Sequence, residues 1–240
     1  QINDPFHNSH IIKHPNYDSK SLDNDVAILR IDGLFNYPSS KIKPICLPPH
    51  NLNLDNLVNL QGDVNNSNIS LPRVVGLGFT NVNDPSDETT YQKFADHLQE
   101  IEIRIISTLT CNSKNVYNGQ ISNTKICAGN LNGGVDSCQG DSGGPLMIDL
   151  PLIETFSDNS TKSSIRTMLI GPVSAGSGCA EANSPGIHMD LSKYLVWLNE
   201  TIKVGPPSVN IVEKSWENEK DEYQEVINRE GKVVIYKITP

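Results

Sequence analysis

The 240 residues carry 28 acidic against 19 basic side chains, a net charge of −9 with His neutral, which sets a nucleic-acid partner aside because phosphates are gripped by clustered Lys and Arg. Hydrophobic residues make up 37%, enough for a sizeable core in one or two domains. No apolar run approaches the roughly 18 residues that read as a membrane span, and the opening QINDPFHNSH lacks the basic start and apolar stretch of a signal peptide, so a soluble chain is expected.

Short β-branched runs dominate along the chain: DVAILRI at 25–31, RVVGLGF at 73–79, LQEIEIRII at 98–106 and TMLIGPVSA at 167–175. Clusters of Gly, Pro, Asn and Asp bound them, so the expectation is an all-β sandwich or barrel with irregular loops. In LQEIEIRII, Leu98, Ile101, Ile103 and Ile105 run close to a period of two, which predicts one buried face. The stretches 51–70 and 149–166 are long for connections in a compact domain and read as surface excursions. At 190–203 the period changes. In DLSKYLVWLNETIK, Leu191, Tyr194, Leu195, Leu198 and Ile202 share one face of a helix, with Asp190 as its cap and GPP as its stop. Residues 204–240 differ in composition, a charged EKSWENEKDEYQEVINRE before a β-like KVVIYKI. They read as an appendage of unknown role, with a candidate helix in the charged run, beside a main domain at 1–203.

Five cysteines, Cys46, Cys111, Cys127, Cys138 and Cys179, show no CxxC pair and no His at finger-like spacing, so no structural zinc is expected. No motif asks for a cofactor. The odd number leaves one cysteine without an internal partner. Sequons at Asn65, Asn68, Asn159 and Asn199 permit glycosylation on a secretory route.

The stretch that carries chemistry is DSCQGDSGGPL, Asp136 to Leu146. Ser142 lies among glycines at 140, 143 and 144, which allow a tight turn with amides aimed at one point. Two converging amides beside a hydroxyl make an oxyanion hole, each donor worth about 10² to 10³ in rate. A bare SGG is more often only a Gly-rich turn; the longer context is what points to chemistry.

That context, DSCQGDSGGPL together with NDVAILRI, KPICLP, KICAG and SGCAEANSPGI, resembles the trypsin-like, chymotrypsin-fold serine proteases from about residue 10 to 203. The resemblance implies an all-β, chymotrypsin-like double-barrel fold, its first barrel largely missing here, with a C-terminal helix. It implies an endopeptidase working through a Ser/His/Asp triad and an acyl-enzyme. In it Ser142 is the nucleophile, the amides of Gly140 and Ser142 form the oxyanion hole, and Asp25 orients the catalytic histidine. Taken alone, an Asp before an apolar run is a strand-edge or cap residue. Ser174 supports that aspartate and lines the substrate strand, and Asp141 pairs with the amino terminus created by zymogen cleavage.

Asp136 matches the acid at the base of the primary pocket, with Gly176 and Gly186 as small wall residues, which implies cleavage after Arg or Lys. Cys111 with Cys127 and Cys138 with Cys179 match two bridges of the family, the first closing a loop of about 15 residues for a nominal ~3 kcal/mol. Cys46 matches the cysteine that ties the catalytic domain to a pro-region or light chain. Protein substrates, serpin-type inhibitors and secretion belong to the same resemblance. A third bridge is absent, with Pro72 and Ile148 at its places, a pattern similar to arthropod clip-domain proteases.

The pattern breaks at the histidine. The family's Ala-His-Cys lies well upstream of the aspartate, and only 24 residues precede Asp25. Of the six histidines, His7, His10, His14, His50 and His97 lack that context and read as solvated. His188, in SPGIHMD, stands where the family has a tyrosine beside the pocket base, and its protonated form would partly neutralise Asp136. Leu77 and Ala175 replace aromatics, the second removing a wall of the substrate cleft. The activation sequence is missing too, so the chain reads as an N-terminally incomplete catalytic domain, inactive by itself. A non-catalytic homologue acting as a binding cofactor is the alternative.

Overall fold

The computed structural model describes residues 11–30, 43–50, 52–62, 70–80, 93–155 and 161–203, with the backbone of two further strands at 223–228 and 231–236. A small antiparallel ribbon comes first, β1 (Ile11–Lys13) against β2 (Ala27–Leu29), with Ile12 opposite Ile28. Helix α1 (Leu54–Gly62) follows. The main body is a seven-stranded antiparallel sheet: β3 (Arg73–Gly76), β4 (Gln99–Glu102), β5 (Arg104–Ile106), β6 (Lys125–Gly129), β7 (Pro145–Thr155), β8 (Thr161–Ala175) and β9 (Gly186–Met189). Its spatial order is β4-β3-β7-β8-β9-β6-β5.

Strands β4 and β5 end that order on opposite sides, yet only Ile103 separates them in the chain. The two edges are therefore drawn together and the sheet curls into a nearly closed barrel, which hides strand edges that would otherwise invite pairing. Period-two alternation fills it. Leu146, Ile148 and Leu150 of β7 point inward with Met168 and Ile170 of β8, and Leu57 of α1 joins the same cluster. Each enclosed aliphatic side chain contributes about 1.5 to 3 kcal/mol relative to exposure. This is the all-β, chymotrypsin-like class implied by the sequence, completed by a C-terminal helix, α3 (Leu195–Lys203).

A 3₁₀ turn at Leu191–Lys193 leads into α3, and Asp190 caps that turn by accepting from the Ser192 amide at 3.0 Å and its hydroxyl at 2.6 Å. Leu191 and Tyr194 pack on Val26 and Met189, with Trp197 and Leu198 beside them. The periodic face read from the sequence is thus the face that docks.

Three segments depart from expectation. The stretch 149–166 is not all loop: among the described residues β7 and β8 run as paired strands through 149–155 and 161–166, with Asp149 opposite Thr167 and Glu154 opposite Lys162. Its Asp and Pro residues obscure an alternation that a paired neighbour strand enforces. Within 51–70, α1 forms because Leu54, Leu57 and Val58 share one face and meet the barrel core. In the tail, the charged run for which a helix was a candidate holds a strand, β10 (Tyr223–Asn228), paired with β11 (Gly231–Tyr236). Cross-strand pairing there overrides the helix-favouring charges.

Candidate active site

The loop from β6 to β7 carries Ser142, which is exposed. Gly140 holds φ at +97°, and a Cβ on it would meet Phe94 Cε1 at 2.7 Å and the Gly78 Cα at 3.1 Å, so both conformation and space require glycine. The amides of Asp141, Gly143 and Gly144 are engaged by the carbonyls of Cys138, Val173 and Asp141. Those of Gly140 and Ser142 make no hydrogen bond among the described residues, which leaves two donors beside the Ser142 hydroxyl. The Asp141 side chain is turned inward. Its Oδ1 accepts from the Gly78 amide at 2.8 Å and its Oδ2 from the Cys138 amide at 2.9 Å, which pins the loop to the end of β3.

Ser142 shares a cavity of about 240 Å³ with Asp136, Ser174, Ala175, Gly176 and Gly186. One wall is the β6–β7 loop and the other the β8–β9 loop, and the Cys138–Cys179 disulfide ties them together. The Asp136 carboxylate accepts from the Ser137 amide at 2.7 Å. Burial pushes its pKa up to about 6 despite the Ser137 and Ala180 amides, which favour the charged form. A Cβ on Gly186 would lie 2.7 Å from Asp136 Oδ1, so any side chain there would displace the acid.

Asp25 is half-buried, and its Oδ2 accepts from the Ser174 hydroxyl at 2.7 Å. Ser174 therefore connects the aspartate to the cavity that Ser142 lines. The loop ahead of Asp25 is held in an unusual shape, with positive φ at Leu22 (54°) and Asn24 (57°). What holds it escaped the sequence reading: Lys125, at the start of β6, is buried and donates to Asp23 Oδ1 at 2.9 Å and the Ser21 carbonyl at 2.6 Å. A buried lysine inside KICAG was the available signal, since such a group needs a partner.

Of the histidines, His7 and His10 lie outside the described residues, and His50 and His97 are placed without contact to the site. His14, expected to be solvated, is half-buried, its ring edge-on to Tyr194 at 5.4 Å and to Trp197 at 4.8 Å. His188 is fully buried behind the pocket, and burial drives its pKa down to about 4, so at neutral pH it has no charge to set against Asp136. No histidine among the described residues is hydrogen-bonded to Ser142 or Asp25. Cys111 and Cys127 are disulfide-bonded, as are Cys138 and Cys179. Cys46 is half-buried, its carbonyl accepting from the Leu169 amide at 2.8 Å. Asn199 is exposed on α3, whereas Asn65, Asn68 and Asn159 lie outside the described residues. Leu77 is exposed. A Phe79–Phe94 stack at 4.4 Å between ring centres flanks Gly140, a feature the sequence did not announce.

Comparison with known proteins shows the family. The family described as Trypsin matches residues 3–198. Transmembrane protease serine 11G of Rattus norvegicus is 34% identical over 198 residues, covering 81% of this chain and 39% of that protein. Transmembrane protease serine 5 of Homo sapiens is 36% identical over 191 residues, covering 80% and 35%. Coagulation factor XII of Rattus norvegicus is 33% identical over 190 residues, covering 78% and 27%. The chain therefore spans well under half the length of each of these relatives, none of which is described as clip-domain. With two unengaged amides beside an exposed serine, an acid in the adjoining cavity and a family match across most of its length, the chain belongs to the trypsin family of serine proteases.

Proposed function

We propose that this chain carries the nucleophile, the oxyanion donors and the specificity pocket of a serine endopeptidase that cleaves after Arg or Lys. The observation that carries this reading is the shared cavity: Ser142 and Asp136 line the same 240 Å³ space, and the amides of Gly140 and Ser142 have no hydrogen-bond partner among the described residues. A long cationic side chain entering between Gly176 and Gly186 would meet the Asp136 carboxylate and leave its carbonyl carbon near the serine. The amides would then stabilise the oxyanion of the tetrahedral intermediate. Asp25, fixed by Ser174, would orient an imidazole and stabilise its cationic form. That imidazole would come from outside the described residues.

Activation would release an amino terminus for Asp141 and require the carboxylate to exchange its two amide contacts. The disulfides suit an oxidising, extracellular setting, and no helix among the described residues is long and apolar enough to cross a membrane. Resemblance further assigns Cys46 to a bond with a pro-region or light chain, and serpin-type inhibitors as partners.

The test is hydrolysis of Arg and Lys esters by the protein as its source makes it, compared with the same protein carrying Ser142→Ala. A loss of several orders of magnitude in kcat supports the reading, because triad members act as a unit; activity that survives overturns it. The same material run with and without reductant reports whether Cys46 holds a second chain. A second reading, a non-catalytic homologue that binds without cleaving, draws on the lack of any histidine bonded to Ser142 or Asp25 among the described residues. No hydrolysis in the parent, with amidinium binding retained, would favour it.

A further inference from the structure

Among the described residues, His188 is the one buried titratable group beside the site that the proposed chemistry leaves unused. It is 0% exposed, and neither ring nitrogen has a hydrogen-bond partner. A buried polar group left so is costly, and in native structures it calls for an explanation. Its surroundings supply one. Nε2 lies 3.4 Å, and Asp136 Oδ1 2.7 Å, from the point a Cβ on Gly186 would occupy. The absent side chain at 186 therefore leaves the imidazole and the carboxylate facing the same small space at the base of the pocket.

The other neighbours do not compete. Strands β6 and β8 flank His188 and place Ile126 and Val173 opposite it, neither titratable. Tyr117 feels the charge of Asp136, but its hydroxyl is committed to the Pro185 carbonyl at 2.6 Å. Asp136 forms no ion pair among the described residues.

We propose that His188 is a positioning residue of the specificity pocket, its neutral imidazole donating from Nε2, through one bridging water, to the Asp136 carboxylate and so keeping that acid charged for an incoming cation. The inference rests on the proposed role of Asp136. His188 touches no substrate; it acts through the acid. A hydrogen bond to the charged form favours ionisation, and donors to charged groups are among the stronger ones. Deleting the donor should therefore leave a carboxyl that needs a higher pH to ionise.

The test uses the protein as its source makes it, benzamidine as the cationic probe and benzamide as its neutral counterpart, with binding followed by calorimetry from pH 5 to 9. His188→Phe should move the acid limb of benzamidine binding to higher pH. Affinity should fall about fivefold at pH 6.5, roughly 1 kcal/mol, and return to the parent value by pH 9, with benzamide binding unchanged throughout. His188→Gln, which keeps an amide donor, should restore most of the loss. His188→Leu serves should the phenylalanine variant fail to fold. An acid limb that stays in place in a folded His188→Phe or His188→Leu variant overturns the inference, as does an equal loss for benzamide. Asp136→Asn separates the two layers. If it binds benzamidine as the parent does, the pocket reading fails; if it loses binding while His188→Phe does not, only the role of His188 fails.

Discussion

Burial pushes the Asp136 carboxyl up to about 6 and the His188 imidazole down to about 4, since a low-dielectric surrounding penalises whichever form is charged. The consequences for stability have opposite signs. A histidine with a depressed folded pKa takes its proton later than the unfolded chain does, so its contribution is full above 6.5 and is lost as the pH falls toward 4. A carboxyl with a raised folded pKa takes its proton first, so the folded state gains as the pH falls from about 6 toward 3.8. The two oppose each other across one window. His188→Phe removes the first and uncovers the second, so its stability relative to the parent should grow by on the order of 3 kcal/mol between pH 6.5 and pH 4. Urea unfolding at several pH values measures this; a difference that stays constant would mean that His188 does not titrate in the way its burial requires. Ser142 and Asp136 could be proposed from one contiguous motif whose local order is the signal, and Asp25 only from the register of the other motifs. The state of His188 could not, since its burial depends on β6 and β8, which reach it from 62 and 15 residues away at Ile126 and Val173.

The Asp25 loop shows the same limit at the scale of elements. Its conformation is set by β6, through Lys125, and by the α3 region, where the Tyr194 hydroxyl donates to Asn24 Oδ1 at 3.3 Å. The ion pair is lopsided: the lysine side chain is 4% exposed and the aspartate 34%. Removing each partner should therefore have different effects. Asp23→Ala leaves a buried ammonium with the Ser21 carbonyl as its remaining acceptor among the described residues and should cost about 3 kcal/mol. Lys125→Met replaces the buried cation by an apolar chain of similar length and leaves Asp23 with water and the Ser122 hydroxyl, at a cost of under about 1 kcal/mol. Thermal melts of both variants check the ranking, and equal losses would show that the pair, not burial of the lysine, governs the loop. The C-terminal helix was legible because its periodic face is its docking face. The β7–β8 hairpin was not, because a strand carrying Asp149 and Pro151 alternates convincingly only beside its partner.

For the molecule as a whole, motif order was enough to name the fold class, whereas barrel closure through Ile103 and the placing of α1 required the chain to be assembled. The two disulfides divide the work differently. Cys111–Cys127 joins the short helix α2 (Thr108–Cys111) to β6, both within one edge of the barrel, and Cys138–Cys179 joins the two loops that wall the cavity. Chain entropy alone, from separations of 16 and 41 residues, assigns them about 3 and about 4 kcal/mol. Stability therefore hardly distinguishes the two; the cavity does. Replacing Cys138 and Cys179 together by Ser should weaken benzamidine binding by tenfold or more in molecules that remain folded, because Asp136 and Gly176 then sit on walls no longer tied to each other. Replacing Cys111 and Cys127 together should lower the melting temperature by a similar amount with affinity per folded molecule intact. Calorimetric binding at a temperature where both variants are folded reads the difference, and equal affinity in the two would mean that the β6–β7 and β8–β9 loops keep their shape through backbone contacts such as the 2.8 Å bond from the Gly134 amide to the Ala180 carbonyl.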